Sequence, residues 1–170
     1  MKLWLLDADI LIDFISHDLL DKLVKIHEIH AATSVIGEVK YFKRAGIKYP
    51  ASFHDKYIQT GLIKELSANA EDAAILLSKL PRLSPFTLHP GEIESLSILI
   101  RETNLVFCTC DAATIRTLPL LDITERGISA EKLLKQSGLF KPGLHDRHTE
   151  EYFKTNTAIG QVQKIYQSKS

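Results

Sequence analysis

Leu3-Trp-Leu-Leu6 is a short apolar run stopped by an acid, the pattern of a strand buried on both faces of a parallel sheet. Helical spacing follows over 9–16, carried by Ile10 and Phe14, and over 19–29, carried by Leu19, Leu20, Leu23 and Ile26. Ala31-Ala-Thr33 reads as a second short strand. Ser34 then serves as N-cap for a helix over 35–44 that stops near Gly46. A further helix is expected over 50–59 with Pro50 at its start, then a strand over 62–66. A helix over 70–80 is closed by Pro81, and Pro90-Gly91 opens another that runs to about Glu102. Leu105-Val-Phe-Cys-Thr109 is the clearest strand of the chain, and an acid, Asp111, follows it. A short helix near 112–118 and a last one from Ser129 complete the alternation.

Strands alternating with helices imply an α/β fold with a parallel sheet covered on both faces. In such sheets the site forms at the carboxyl ends of the strands. The pattern changes after Pro142-Gly143, where 144–170 turns polar with Tyr152, Phe153, Ile159, Val162 and Ile165 as scattered anchors. This divides the chain into a main domain, 1–140, and a polar helical C-terminal extension, 141–170.

With 170 residues, the length suits one domain, and 21 Lys+Arg against 21 Asp+Glu leave no net charge. That balance excludes a globally basic nucleic-acid binder and an acidic disordered chain, and leaves room for local basic patches. No segment reads as a membrane span, and the apolar start is too short for a secretory signal before Asp7 interrupts it. Cys108 and Cys110 are too close in sequence for ordinary disulfide geometry, so reduced thiols in a cytoplasmic protein are expected. The pairs His27/His30 and His145/His148 share helical spacing but lack a third ligand and read as surface residues. Trp4, in the first strand, reads as core.

The placement of acids is more informative. Asp7 ends the first strand, with Asp9 two residues on; Glu38 lies one turn into a helix; Glu92 and Glu94 open another; Asp111 ends the strongest strand. Each taken singly has an ordinary explanation as an N-cap or a helix-dipole partner. Together they can converge on one sheet edge, where they would repel one another unless cations neutralised them. Mg²⁺ or Mn²⁺ suits such oxygen donors, and the scarcity of His among them argues against zinc. Two such ions about 3.5–4 Å apart hydrolyse phosphodiesters.

Four segments, Leu-Leu-Asp7-Ala-Asp9-Ile-Leu-Ile-Asp, Thr33-Ser34-Val-Ile-Gly-Glu38, Pro90-Gly91-Glu92-Ile-Glu94-Ser-Leu-Ser and Val-Phe-Cys-Thr109-Cys-Asp111, resemble the PIN-domain nuclease family in order and approximate spacing over 3–136. The resemblance implies a PIN-like (Rossmann-like) three-layer α/β/α fold with a central, mainly parallel sheet. It also implies Mg²⁺- or Mn²⁺-dependent cleavage of single-stranded RNA to leave 5′-phosphates, as in VapC-type toxins of toxin–antitoxin pairs. The partners it implies are the RNA, an antitoxin protein and a second copy in a homodimer.

In that pattern Asp7 takes the first acid, Glu38 the second and Asp111 the one after the Thr-bearing strand. Asp9 stands where the family usually carries Asn, Ser or Thr and is auxiliary. The third acid falls between Glu92 and Glu94. Leu96 and Leu99 put Glu92 at the edge of the buried stripe, with Glu94 roughly 200° away on the helix. A Gly-Glu-x-Glu form also resembles flap-endonuclease relatives, in which both acids serve metals, so Glu94 stays as a second choice of metal ligand. Ser34 and Thr109 are auxiliary hydroxyls. Lys40, Lys43, Arg44 and Arg116 are the candidate RNA contacts, although many relatives carry an Arg soon after the last acid and a second acid beside it, whereas here Cys110 occupies the neighbouring position and Arg116 comes a residue late. Two alternatives compete. One is a phosphatase resembling the haloacid dehalogenases, with Asp7 and Asp9 as nucleophile and acid and Thr33 or Ser34 on the phosphoryl oxygens. The other is an inert PIN-fold module that binds RNA or protein.

Overall fold

The computed structural model describes residues 3–82, 84 and 86–169. The chain runs β1 (Leu3–Leu6), α1 (Ala8–Ser16), the single turn α2 (Leu20–Leu23), β2 (Ile29–Ala32) and α3 (Thr33–Glu38). An antiparallel hairpin of β3 (Tyr41–Arg44) and β4 (Ile47–Pro50) precedes a π-helical turn, His54–Ile58, and β5 (Ile63–Leu66). Then come α4 (Ala70–Lys79), α5 (Pro90–Arg101), β6 (Leu105–Cys108), α6 (Ala112–Leu120), β7 (Gly127–Ile128) and α7 (Ala130–Gln136). A 3₁₀ turn, Asp146–His148, leads into the long α8 (Glu150–Ser168).

β1, β2, β5, β6 and β7 form one wholly parallel sheet in the order β5-β2-β1-β6-β7, flanked by helices in a three-layer, Rossmann-like α/β/α arrangement. Cover on both faces explains why the inner strands are apolar without alternation: Trp4, Leu5, Leu6, Phe107 and all of β2 are buried. From β1 the chain builds outward on one side to β2 and β5, and later on the other to β6 and β7. The switch point between β1 and β6 is where open α/β sheets leave a crevice at their carboxyl edge.

The helix expected over 35–44 is instead the six-residue α3 followed by the hairpin. Ala45 and Gly46 both take positive φ, 50° and 79°, the combination a tight two-residue hairpin turn needs and a helix cannot hold. Across the turn Phe42 and Tyr49 stack at 5.6 Å, a cross-strand pair that favours the ladder over a helix. Pro50 therefore ends β4 rather than opening a helix, and only His54–Ile58 is helical in the stretch 50–59. The helix expected over 19–29 shrinks to α2 because Ile26 is exposed and the chain must enter β2 at Ile29. Ser34 caps nothing; α3 begins after Ala32 without a side-chain cap. β7, two residues long, is below any periodicity.

The extension is helical, as expected, and α8 packs along α6. Its anchors differ from the expected set: Asn156 and Gly160 are buried, Tyr152 and Phe153 half-buried, and Ile159, Val162 and Ile165 exposed. His30 and His148 are buried rather than on the surface, and no helix pairs His27 with His30, since the latter lies in β2. Cys108 and Cys110 are free and buried. Among the described residues, no helix is long and apolar enough to cross a membrane.

Candidate active site

Asp7 leaves the end of β1 in extended backbone and caps α1, its Oδ1 accepting from the Ala8 N–H at 2.8 Å. Its own N–H donates to the Cys108 carbonyl at 3.1 Å, continuing the β1–β6 ladder to the sheet edge. Oδ2 accepts from Thr109 Oγ1 at 2.7 Å, and the same Thr109 oxygen accepts the Asp111 N–H at 3.1 Å. One hydroxyl thus joins the Asp7 carboxylate to the backbone at Asp111, across adjacent strand ends. Asp111 caps α6 through the Thr114 N–H at 2.7 Å. Burial pushes the Asp7 carboxyl up to about 6; the bonds from Thr109 and Ala8 oppose that, and the charges of Asp9 and Asp111 add to it.

Glu92 sits in the first turn of α5, its Oε2 accepting the His89 N–H at 2.6 Å. Burial raises its pKa, opposed by that bond and assisted by Asp111 and Asp7. Glu38, the last residue of α3, reaches α5 at Gly91, where a Cβ would stand 3.0 Å from its Oε1. Glycine here lets α3 and α5 bring their acids to one place. Asp7, Asp9, Glu38, Glu92, Asp111 and His89 line a single pocket of about 260 Å³ at the carboxyl edge of the sheet.

These oxygen donors suit a hard divalent cation. They ring the pocket rather than close on a point: among the described residues, no three His, Cys, Asp or Glu side chains are grouped tightly enough to hold one metal ion.

Glu94 does not join them. Its Oε2 accepts from both the N–H (2.8 Å) and the hydroxyl of Ser34, and its Oε1 from the Ala68 N–H at 3.3 Å. Glu94 and Ser34 therefore tie α5 to α3 from outside the pocket. Thr33 donates to Glu65 Oε1 at 2.7 Å, so neither hydroxyl the phosphatase reading needs is turned to the acids. Of the cations, Arg44 is held by Asp18 at 2.8 Å, and Arg116 Nε donates to Asn156 Oδ1 at 2.9 Å. Lys40 and Lys43 line a second hollow of about 420 Å³ with Lys48, Tyr41 and Phe42, and that hollow shares Glu38 with the acidic pocket. Cys110 lies beside Asp111, yet burial pushes its thiol up to about 12, so it offers no thiolate.

Three residues of this region escape a reading of the sequence: His89, Lys48 and Arg147, whose Nη1 is 3.5 Å from Asp9 Oδ2. His89 carries a signal, since it stands three residues before a Glu at a helix start. The other two arrive through tertiary structure alone.

The fold and pocket define a Rossmann-like α/β protein with an acidic cleft at its topological switch point. No protein-family model, curated protein or solved structure matches the chain.

Proposed function

We propose that the chain is a Mg²⁺- or Mn²⁺-dependent endoribonuclease of the PIN type, hydrolysing phosphodiester bonds of single-stranded RNA. The observation that carries this reading is the meeting of five carboxylates from four separate segments in one pocket between the ends of β1 and β6. Asp7, Glu38, Glu92 and Asp111 would hold the cations, with Asp9 auxiliary. Bound cations supply activation of a water and stabilisation of the leaving oxygen. Thr109 holds the Asp7 carboxylate and the Thr114 N–H that of Asp111 beforehand, so these donors need little rearrangement.

The adjoining hollow suits the strand of a substrate. Lys40, Lys43 and Lys48 offer charge for phosphates, and Tyr41, half exposed and beneath the Lys48 ammonium at 4.1 Å, offers a stacking face for a base. The toxin setting, an antitoxin partner, a homodimer and a cytoplasmic location belong to the same proposal and rest on the resemblance of the motifs. Cleavage of an end-labelled single-stranded oligoribonucleotide in Mn²⁺ tests the reading. Chelation, Asp7→Asn and Asp111→Asn should each abolish cutting in a chain that still melts cooperatively. Full activity in either variant would overturn it.

A further inference from the structure

The acidic pocket has no lysine or arginine among its described lining residues. A phosphodiester entering it is repelled by every carboxylate a cation leaves unbalanced, and a guanidinium at the rim is the usual remedy. Arg116, nearest in sequence to Asp111, is engaged by Asn156 and stacked over the Phe86 ring at 5.9 Å. Arg147 stands at the rim instead. Its 3.5 Å approach to Asp9 is, among the described residues, the one ion pair made to a pocket carboxylate.

The turn that carries Arg147 is seated by the burial of the residue that follows it. His148 is 2% exposed, with Nε2 3.1 Å from Asp13 Oδ2 on α1. The Arg147 N–H donates to His145 Nδ1 at 3.2 Å, and Thr149 then caps α8 through the Tyr152 N–H. The guanidinium itself stays half exposed, and 3.5 Å is too long for a hydrogen bond, so its donor fork is open to a second anion.

Resting on the nuclease reading, we propose that Arg147 is the phosphate-binding residue of the site, delivered to the pocket by the C-terminal extension. In RNA-bound protein it grips the non-bridging oxygens of a phosphodiester, and Asp9 is the group that positions it. A planar fork matches two phosphate oxygens at once, which a lysine ammonium does not.

The test is binding of a fluorescent single-stranded oligouridylate to the full chain in Ca²⁺, read by anisotropy over a salt series. Arg147→Ala should weaken binding about tenfold or more, the worth of a hydrogen bond to a charged group. The dependence of log affinity on log salt should become shallower by about 0.7, the share of one phosphate on a single strand. Arg147→Lys should restore the salt slope and part of the affinity, and Lys79→Ala, an exposed charge on α4, should change neither. Parental affinity and slope in Arg147→Ala, with cleavage still lost in Asp7→Asn, would overturn this assignment and leave the nuclease reading standing. Loss of affinity in Arg147→Ala that tracks a fall in melting temperature and is not restored by lysine makes the residue structural, which also overturns it. A parent chain that neither binds nor cuts RNA overturns the nuclease reading and this inference together.

Discussion

Burial lifts the Asp7 carboxyl from 3.8 to about 6 even though Thr109 and the Ala8 N–H both bond its ionised form. A carboxyl whose folded pKa exceeds its unfolded one binds the extra proton in the folded state. Stability from this group is therefore greatest below about pH 4 and is lost as pH rises towards 6, by about 3 kcal/mol for a shift of this size. Other acids of the chain shift the opposite way, so the effect is isolated by comparison with Asp7→Asn, which cannot ionise. In urea melts the variant should gain on the parent between about pH 4 and pH 6 and level off above that, while losing the ability to cut RNA; a pH-independent gap would show that Asp7 is not strained. A bound cation reverses the penalty, because it favours the ionised carboxyl. Millimolar Mn²⁺ should accordingly raise the parent's melting temperature more at pH 7 than at pH 5, and raise that of Asp7→Asn much less.

Glu92 and Glu94 lie two residues apart on α5, and the helix sends them to different work. Glu92 faces the acids, whereas Glu94 satisfies two backbone N–H groups and a hydroxyl that join α3 and the start of α4 to α5. Glu94→Ala leaves those half-buried donors without a partner and should cost about 2–3 kcal/mol in a denaturant melt, with cleavage per folded molecule unchanged. Glu92→Gln keeps an acceptor for the His89 N–H, so stability should hold while cleavage falls at least a hundredfold; the reverse pattern would exchange the two roles. The helix period and the burial of Leu96 and Leu99 already favoured Glu92 in the sequence. β1, β6 and α5 were legible for the same reason: each is set by a local apolar run or a local start signal. The hairpin was not, because its cause is a left-handed Ala45 beside Gly46 and a Phe42–Tyr49 stack that exist only once the strands pair. The diversion of Arg116 to Asn156 and the approach of Arg147 to Asp9 are likewise tertiary facts, made by residues distant in sequence.

A neutral chain that gathers five acids in one pocket must carry its balancing cations elsewhere, and two sets lie next to that pocket: the lysines of the hairpin hollow and Arg147. The second set depends on α8, which packs closely on α6 at the buried Gly160. A Cβ there would stand 2.2 Å from the Arg116 carbonyl oxygen. On an isolated helix Gly→Ala stabilises by about 1 kcal/mol, so the sign of the effect here reports the seam. Gly160→Ala should instead destabilise, by about 1–3 kcal/mol for overpacking, or α8 should shift away from α6. Since Asp111 caps α6 and the turn before α8 bears Arg147, a shift at the seam moves the guanidinium relative to the acids. Gly160→Val should therefore expose α8 to trypsin at Lys154 and Lys164 and weaken binding of the oligouridylate. Combined with Arg147→Ala it should add little further loss, because both changes remove one interaction. Full additivity in that double-mutant cycle would mean that the seating of α8 and the placement of Arg147 are independent.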